Sequence, residues 1–230
     1  MNRKLQHDLD NFEAVLENTV AEAARFLAGL NERPAGLLPE AVKPVDLPET
    51  GVGAGQALAV FKERFGASIT GSAGPRYFGF VTGGATPASV MGDWLTSVFD
   101  QNAVDFDSSA TYVEMEALHF LRQLFGLPPS FSGTFVTGAT VSNFVSLAIA
   151  RQWVARQQGL DVALDGLYAV PPIKILSGAP HASIYKALSM LGLGKNALEP
   201  VAVQPEREAV DVEALRQRLV ALDGEPCIVV

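Results

Sequence analysis

The sequence predicts an α/β protein with a mostly parallel sheet. Short apolar segments alternate with helical patterns in its second half, turns of small residues follow two of these segments, and 48% of the 230 residues are hydrophobic against 18% charged. Strands that alternate with helices require crossover connections, which make the strands parallel. A chain of this length and composition can bury a sizeable core.

The first 55 residues predict one helix followed by a connector. Apolar residues from Leu5 to Leu16 recur at helical spacing, so residues 3–28 are expected to form one amphipathic helix. Its apolar stripe must cover either the rest of the chain or a partner subunit. Prolines and glycines break any regular element in residues 29–55, and a connector of this length is usually functional or wraps a neighbour.

The remaining elements follow in chain order. Gly126 and Asp211 mark helix boundaries, because glycine is favoured just past a helix and aspartate just before one. Residues 74–88 and 101–110 are predicted as loops. The predicted helices are 56–65, 89–99, 111–125, 141–158, 182–191 and 212–222, and the predicted strands are 133–137, 173–177, 198–203 and 227–230.

The apolar run at the end of the sequence predicts a buried strand of a parallel sheet. Such a strand normally leads into a loop at the carboxyl edge of the sheet, where binding sites lie. We therefore expect the 230 residues to be part of a longer protein. A strand that is simply C-terminal is the alternative.

Charge and cysteine content argue against several classes of function. The net charge is −8 and no cluster of Lys or Arg occurs, which argues against nucleic acid and anionic membranes as partners. No run of roughly 18 apolar residues predicts a membrane span, and the N-terminus lacks a signal-peptide pattern. The single cysteine, Cys227, indicates a cytoplasmic protein, and three dispersed histidines predict no metal site.

Serine hydrolysis and dinucleotide binding find no support in the sequence. It lacks the Gly-x-Ser-x-Gly elbow of the hydrolases and the Gly-x-Gly-x-x-Gly turn of the dinucleotide-binding proteins. Asp105 and Asp107 resemble a pair of catalytic carboxylates, but nothing fixes their spacing across a cleft. We interpret them as solvated loop residues.

The most informative segment is GTFVTGATVSNFVSLAIAR, residues 133–151. A predicted strand ends at Thr137, and Gly138 and Ala139 form a tight turn. A helix then begins near Thr140. Small residues let a ligand approach the backbone, and the unpaired N–H groups and the dipole of a helix start favour a phosphate. The alternative is that Thr140 is only an N-cap and Gly138 only a turn residue.

A second turn of this kind contains a histidine. In ILSGAPHASIYKAL, residues 175–188, a strand end is followed by Gly178, Pro180 and His181, after which a helix starts. A histidine at the carboxyl edge of a sheet is placed to contact a ligand, as an acid or base or by stacking on a flat ring. The alternative is a histidine that is only hydrogen-bonded at a helix start.

An aromatic loop, PRYFGFVTGG at residues 75–84, is typical of a pocket lining. Aromatic side chains beside glycines would let Tyr77 or Phe80 face a substrate. Packing of this loop in the core is equally compatible with the pattern.

Five segments occur in an order and at separations that are typical of one family. They are PRYFGFVTGG, DWLTSVFDQN at 93–102, YVEMEALHFLRQLFGLP at 112–128, GTFVTGATVSNFVSLAIAR and APHASIYKAL at 179–188. Together they resemble the group II pyridoxal-phosphate-dependent decarboxylases, which include the glutamate and aromatic L-amino-acid decarboxylases. The resemblance implies the N-terminal half of a fold-type I transferase, an aminotransferase-like three-layer fold truncated at the C-terminus.

The resemblance also implies roles for residues of this sequence. The family's phosphate-holding turn falls on Gly138, Ala139 and Thr140, and the asparagine after it falls on Asn143. The histidine that stacks on the cofactor ring, and is discussed as a proton donor, falls on His181. Substrate-side loops fall on Phe80, Thr82 and Gly83 and, from the other subunit of a homodimer, on Asn102 and Val104.

Some positions depart from the family pattern. The His-Pro pair before the aromatic loop is Gly74–Pro75 here, and Val141 replaces an acidic residue. Ser142 replaces a small alanine. The family's aspartate for the pyridinium nitrogen and its cofactor-binding lysine have no counterpart in residues 1–230, where Lys174, Lys186 and Lys195 lie in the wrong contexts.

The activity implied by the resemblance is the decarboxylation of an L-amino acid to an amine and CO₂, carried out by a longer chain with pyridoxal phosphate. Residues 1–230 alone are expected to be inactive. The expected assembly is a homodimer with its active site at the interface, in which residues 1–55 wrap the partner and residues 56–230 form part of the large cofactor-binding domain. The alternatives are an aminotransferase or carbon–carbon lyase of the same fold, a non-catalytic dimerising homologue, and a phosphate-binding module.

Overall fold

A computed structural model describes residues 2–104 and 108–230 of the chain, which divides into two units, Met1–Asn102 and Ala103–Val230. Asp105 and Asp107 lie outside the described residues. The division expected from the sequence, with a wrapping segment at 1–55, concerns a complete assembly and stays a prediction. In the part of the chain that is described, no helix combines the length and apolar character needed to cross a bilayer.

The first unit contains four α-helices and a short 3-10 helix (Gly66–Ser68) among its described residues. One correction concerns the predicted single helix at 3–28, which is interrupted at Asn11. The Asn11 side chain donates a hydrogen bond to the carbonyl oxygen of His7 at 2.8 Å, so it competes for a backbone acceptor at that point. The helices are α1 (Arg3–Asp10), α2 (Phe12–Ala28), α3 (Ala54–Phe65) and α4 (Pro87–Phe99).

Polar contacts hold these helices together. The Asp8 carboxylate accepts a hydrogen bond from the backbone N–H of Ala54 at 2.8 Å and so caps the start of α3 from a distance in sequence. Lys62 of α3 pairs with Glu22 of α2 at 2.6 Å. No side chain in the described part of this unit is buried.

The second unit begins with α5 (Ala110–Leu124), whose end agrees with the sequence prediction. Gly126 has φ +63° and donates its N–H to the carbonyl of Gln123, while the N–H of Leu127 bonds the carbonyl of Arg122 at 2.9 Å. This pair of bonds is the Schellman motif, which glycine stabilises because it adopts the left-handed conformation without strain.

The predicted strand at 133–137 is wrong. These residues form no ladder with any described strand, and Phe135 is more than half exposed. The Glu114 carboxylate of α5 instead accepts hydrogen bonds from the Phe135 N–H at 2.9 Å and from the Thr134 hydroxyl at 3.1 Å. Backbone groups need a partner strand to form a sheet, and here a side chain takes that place.

A parallel sheet follows, as predicted. Its three described strands are β1 (Lys174–Ser177), β2 (Leu198–Pro200) and β3 (Cys227–Val229), in the order β2-β1-β3. Ile175 of β1 is paired with Leu198 on one side and with Ile228 on the other. The helices of this unit after α5 are α6 (Ala139–Gln157), α7 (Val162–Asp165), α8 (Ala182–Met190) and α9 (Val212–Ala221).

Helices cover both faces of the sheet. Ile175 packs in one apolar cluster with Leu147 of α6 and Leu188 of α8. The next residue, Leu176, points to the other face and packs near Leu215 of α9. Successive side chains of a strand point to opposite faces, so this one pair of residues joins three layers. The three-layer prediction is confirmed.

Candidate functional site

The two turns singled out in the sequence lie in the second unit, at the starts of α6 and α8. His181 follows β1 by four residues and is the N-cap of α8. Between the end of β1 and His181, the backbone of Gly178 passes close to Val203 and Val210. A Cβ added at Gly178 would lie 3.1 Å from a methyl group of Val203. A larger residue at 178 would therefore push away the segment that leads to the histidine.

The structure contradicts the alternative interpretation of the first turn, in which Thr140 is only an N-cap. The N-cap of α6 is Gly138, not Thr140, and no side chain caps this helix. Gly138 is fully extended, with φ 162°, and a Cβ there would meet no described atom within 4 Å. Its conformation is therefore open to any residue, and what glycine provides is free space in front of the helix.

Free donors face this space. The N–H groups of Val141 and Ser142 both bond the Gly138 carbonyl at 3.0 Å, whereas those of Ala139 and Thr140 have no acceptor among the residues described. The Thr140 side chain is exposed at the same turn. Two amide donors, a hydroxyl and the positive end of a 19-residue helix form a set that suits a phosphate. The residues present thus fit the phosphate of a pyridoxal-phosphate cofactor.

The histidine is held through one of its two ring nitrogens. His181 Nδ1 accepts the backbone N–H of Ser183 at 3.2 Å and lies 2.8 Å from the Ser183 hydroxyl. The hydrogen bond at a helix start, which the alternative interpretation of His181 expected, is therefore present. Nε2 has no partner within the described chain, and the residue is exposed. The cap and a contact with a ligand are compatible, because they use different edges of the ring.

A hydrogen-bonded chain connects the two turns. The Asn143 side-chain amide donates to the Ser183 hydroxyl at 2.7 Å, and Ser183 is 3% exposed. Asn143 lies one turn into α6, so the helix that begins at the candidate phosphate site also contacts the group that holds His181. Ser183 was not among the site residues predicted from the sequence. A serine two residues after a helix N-cap was the available signal, because such hydroxyls often bond the cap.

The predicted substrate-side residues lie in different parts of the chain. Phe80, Thr82, Gly83 and Asn102 belong to the first unit, and Val104 belongs to the second. Phe80 is 93% exposed with φ +54°, so the described contacts do not support packing of the aromatic loop in a core. The roles of these five residues stay predictions.

Comparison with known proteins gives consistent sequence relatives. No protein-family model matches the chain. It is 28% identical over 153 residues to L-2,4-diaminobutyrate decarboxylase of Acinetobacter baumannii, covering 61% of this chain and 30% of that protein. It is 33% identical over 143 residues to the enzyme of the same name from Rhizobium meliloti (strain 1021), covering 61% of this chain and 26% of that protein.

Solved structures show the same fold. The glutamate decarboxylase domain of a Vibrio parahaemolyticus diaminobutyrate-pyruvate transaminase and L-2,4-diaminobutyrate decarboxylase superimposes with a TM-score of 0.78 at 22% identity, over 92% of this chain and 48% of that one. Oryza sativa TDC, solved with PLP and tryptamine, gives a TM-score of 0.78 at 20% identity, over 96% and 48%.

The chain spans between a quarter and a third of the length of the curated relatives and about half of the length of the solved structures. Within that span, the sequence matches extend over most of the chain and the fold matches over nearly all of it. The resemblance that the motifs predicted is therefore confirmed: the chain is similar in sequence to diaminobutyrate decarboxylases and shares its fold with solved decarboxylase structures.

Proposed function

We propose that the protein carrying this chain decarboxylates an L-amino acid to the corresponding amine and CO₂ with pyridoxal phosphate. The observation that supports this most directly is the phosphate-suited turn at the start of α6, which is connected to His181 by hydrogen bonds. The names of the sequence relatives point to the same reaction.

In this proposal the turn binds the cofactor phosphate. The N–H groups of Ala139 and Thr140 and the Thr140 hydroxyl would donate to phosphate oxygens, and the space in front of Gly138 would receive the group. Val141 adds no negative charge at the point where the family usually has an acidic residue. Hydrogen bonds to a charged acceptor are stronger than neutral ones, so three of them can hold a phosphate firmly.

His181 would hold the flat face of the cofactor. A pyridinium ring in this position acts as an electron sink when the carboxylate of an amino acid leaves. The exposed imidazole ring of His181 supplies a flat partner, and its open edge carries Nε2. Asn143 would support this ring and the phosphate turn together, because it lies on the same first turns of α6.

The amino-acid substrate and a second subunit complete the proposal. Phe80, Thr82 and Gly83 would shape the pocket, with Asn102 and Val104 supplied by the other chain of a homodimer. An apolar stripe on α1 and α2 supports dimerisation, since Leu9 and Phe12 are each 52% exposed. The single cysteine among the 230 residues supports a cytoplasmic location.

Titration of the full native protein with pyridoxal phosphate tests the phosphate assignment. Ala139→Pro removes one amide donor at a position where helices accept proline, after an extended residue that tolerates it. We expect this variant and Thr140→Val each to bind pyridoxal phosphate roughly tenfold to a hundredfold more weakly. The affinity for pyridoxal, which has no phosphate, should change little.

Two controls decide the outcome. Ser146→Ala, an exposed serine further along α6, should bind both compounds as the unaltered protein does. Equal loss of affinity for pyridoxal and its phosphate would place the phosphate elsewhere. Product analysis then tests the reaction, because release of CO₂ with a primary amine supports a decarboxylase, and a keto acid product would indicate an aminotransferase.

A further inference from the structure

The hydrogen bonds around His181 run in one direction. A backbone N–H can only donate, so the contact from the Ser183 N–H requires a lone pair on Nδ1. The Ser183 hydroxyl, 2.8 Å from the same nitrogen, must then donate its hydrogen there as well. With that hydrogen committed, the Ser183 oxygen is an acceptor, which matches the donor presented by the Asn143 amide at 2.7 Å.

The direction of this chain determines which ring nitrogen carries the proton. A neutral imidazole has one N–H and one lone pair, so an acceptor at Nδ1 leaves the proton on Nε2. Ser183 is buried, and the group that faces it from α6 is the Asn143 amide. A buried hydroxyl with both partners satisfied does not rotate freely, so its orientation is fixed by Asn143.

We propose that Ser183 is a positioning residue that, together with Asn143, fixes His181 in the Nε2–H tautomer and thereby presents an N–H donor at the open edge of the ring. Only the role of this tautomer in ligand binding rests on the proposed function, because the tautomer itself is a property of the chain without cofactor. For a bound ligand it means that His181 offers a hydrogen-bond donor, and an acceptor atom of the ligand would lie beside Nε2.

The tautomer can be measured without cofactor or activity. In full native protein labelled with ¹⁵N-histidine and freed of cofactor, ¹⁵N NMR at about pH 8, where an ordinary imidazole is neutral, distinguishes a protonated from an unprotonated ring nitrogen. The His181 signals are those missing from His181→Gln. We expect an unprotonated Nδ1 and a protonated Nε2 in the unaltered protein.

Two variants test the roles of the neighbours. Ser183→Ala keeps the backbone cap but removes the hydroxyl, and should lower the ratio of the Nε2–H to the Nδ1–H form about fivefold, the effect of one hydrogen bond. Asn143→Asp replaces a donor by an acceptor, which would draw the Ser183 hydrogen away from Nδ1 and should lower the ratio at least as much. Ser183→Thr retains a hydroxyl and should restore it.

Circular dichroism of each variant controls for folding, and any variant with an altered spectrum is replaced by Asn143→Leu, which removes the donor without adding charge. A protonated Nδ1 in the unaltered protein would overturn the proposal, and so would a ratio unchanged in folded variants at both positions. Failure of the protein to bind pyridoxal phosphate would refute the proposed function while leaving the tautomer result intact.

Discussion

The two units of the chain differ in how far they bury their apolar side chains. In the second unit, β1 and the helices α6, α8 and α9 enclose an apolar core, and Ile175, Leu176 and Leu188 are completely buried. In the first unit, side chains such as Leu9 and Phe12 follow a helical stripe but remain about half exposed. Both units therefore have the amphipathic pattern, but among the described residues only the second encloses a core, and its helix α5 also leaves apolar side chains such as Phe120 and Leu124 exposed.

This difference separates a self-sufficient core from a surface that needs a partner. An amphipathic helix gains most of its stability from burying its apolar face. The helices of the first unit are held instead by polar contacts such as Asp8 with Ala54 and Glu22 with Lys62. An ion pair that remains open to solvent, such as Glu22 with Lys62, contributes little, so the first unit is expected to depend on association.

The largest effect is expected in the core of the second unit. Leu188→Ala should lower the free energy of unfolding by about 2–5 kcal/mol, because it leaves a cavity in a fully buried cluster. The matched control is Leu164→Ala, at 85% exposure in the same unit, which should change it by less than about 0.5 kcal/mol. Denaturant unfolding followed by circular dichroism measures both, and similar losses in the two variants would contradict the description of the core.

The second prediction concerns the uncovered stripe of the first unit. Phe12→Asp should weaken dimerisation of the native protein at least about tenfold, since burial of a phenylalanine side chain is worth roughly 1.5–3 kcal/mol. Analytical ultracentrifugation measures the dissociation constant. Glu17→Gln on the same helix should leave it unchanged. A dimer of unaltered affinity in Phe12→Asp would show that the stripe is not part of the interface.

The smallest effect is electrostatic and concerns Glu199 of β2. A hydrogen bond from Arg218 lowers the pKa of Glu199 below its ordinary value, and the charge of Lys174 adds to this. A carboxyl group whose pKa is lowered by folding stabilises the protein above its unfolded pKa, and this contribution disappears as the pH falls through the folded pKa. The unfolding free energy should therefore fall between about pH 5 and pH 3.

Glu199→Gln should make that fall shallower, because the group no longer titrates. Unfolding midpoints in urea across this pH range provide the measurement. Glu208→Gln, an exposed residue in the same unit, serves as control and should retain the full slope. Identical slopes in all three proteins would mean that the ion pair does not contribute in solution.

Local signals in the sequence predicted the helix boundaries well. Asp211 caps α9 as expected and accepts hydrogen bonds from the N–H groups of Glu213 and Ala214, while Gly126 ends α5 in the expected left-handed conformation. Both depend on residues within five positions of each other, and such information is present in a short stretch of sequence.

Features that depend on distant partners were harder to predict. The apolar segment at 133–137 has the composition of a strand. The backbone N–H of Phe135, however, donates its hydrogen bond to the side chain of Glu114, some twenty residues earlier, and not to another strand. The break at Asn11 depends on a side chain that bonds its own helix. At the site, both turns were found from sequence, whereas their connection through Ser183 required a contact across 40 residues.

The central position of β1 has a consequence for how the second unit opens. Each of its two completely buried residues has a helix layer on its own face and a strand on either side. If either helix layer separates from the sheet, it exposes one of these two buried residues, and the other residue is its direct neighbour in the strand. Separating one layer should therefore cost nearly as much free energy as unfolding the whole unit. The four residues of β1 thus act as a cooperative unit, and their amide hydrogens should be among the slowest in the chain to exchange with solvent.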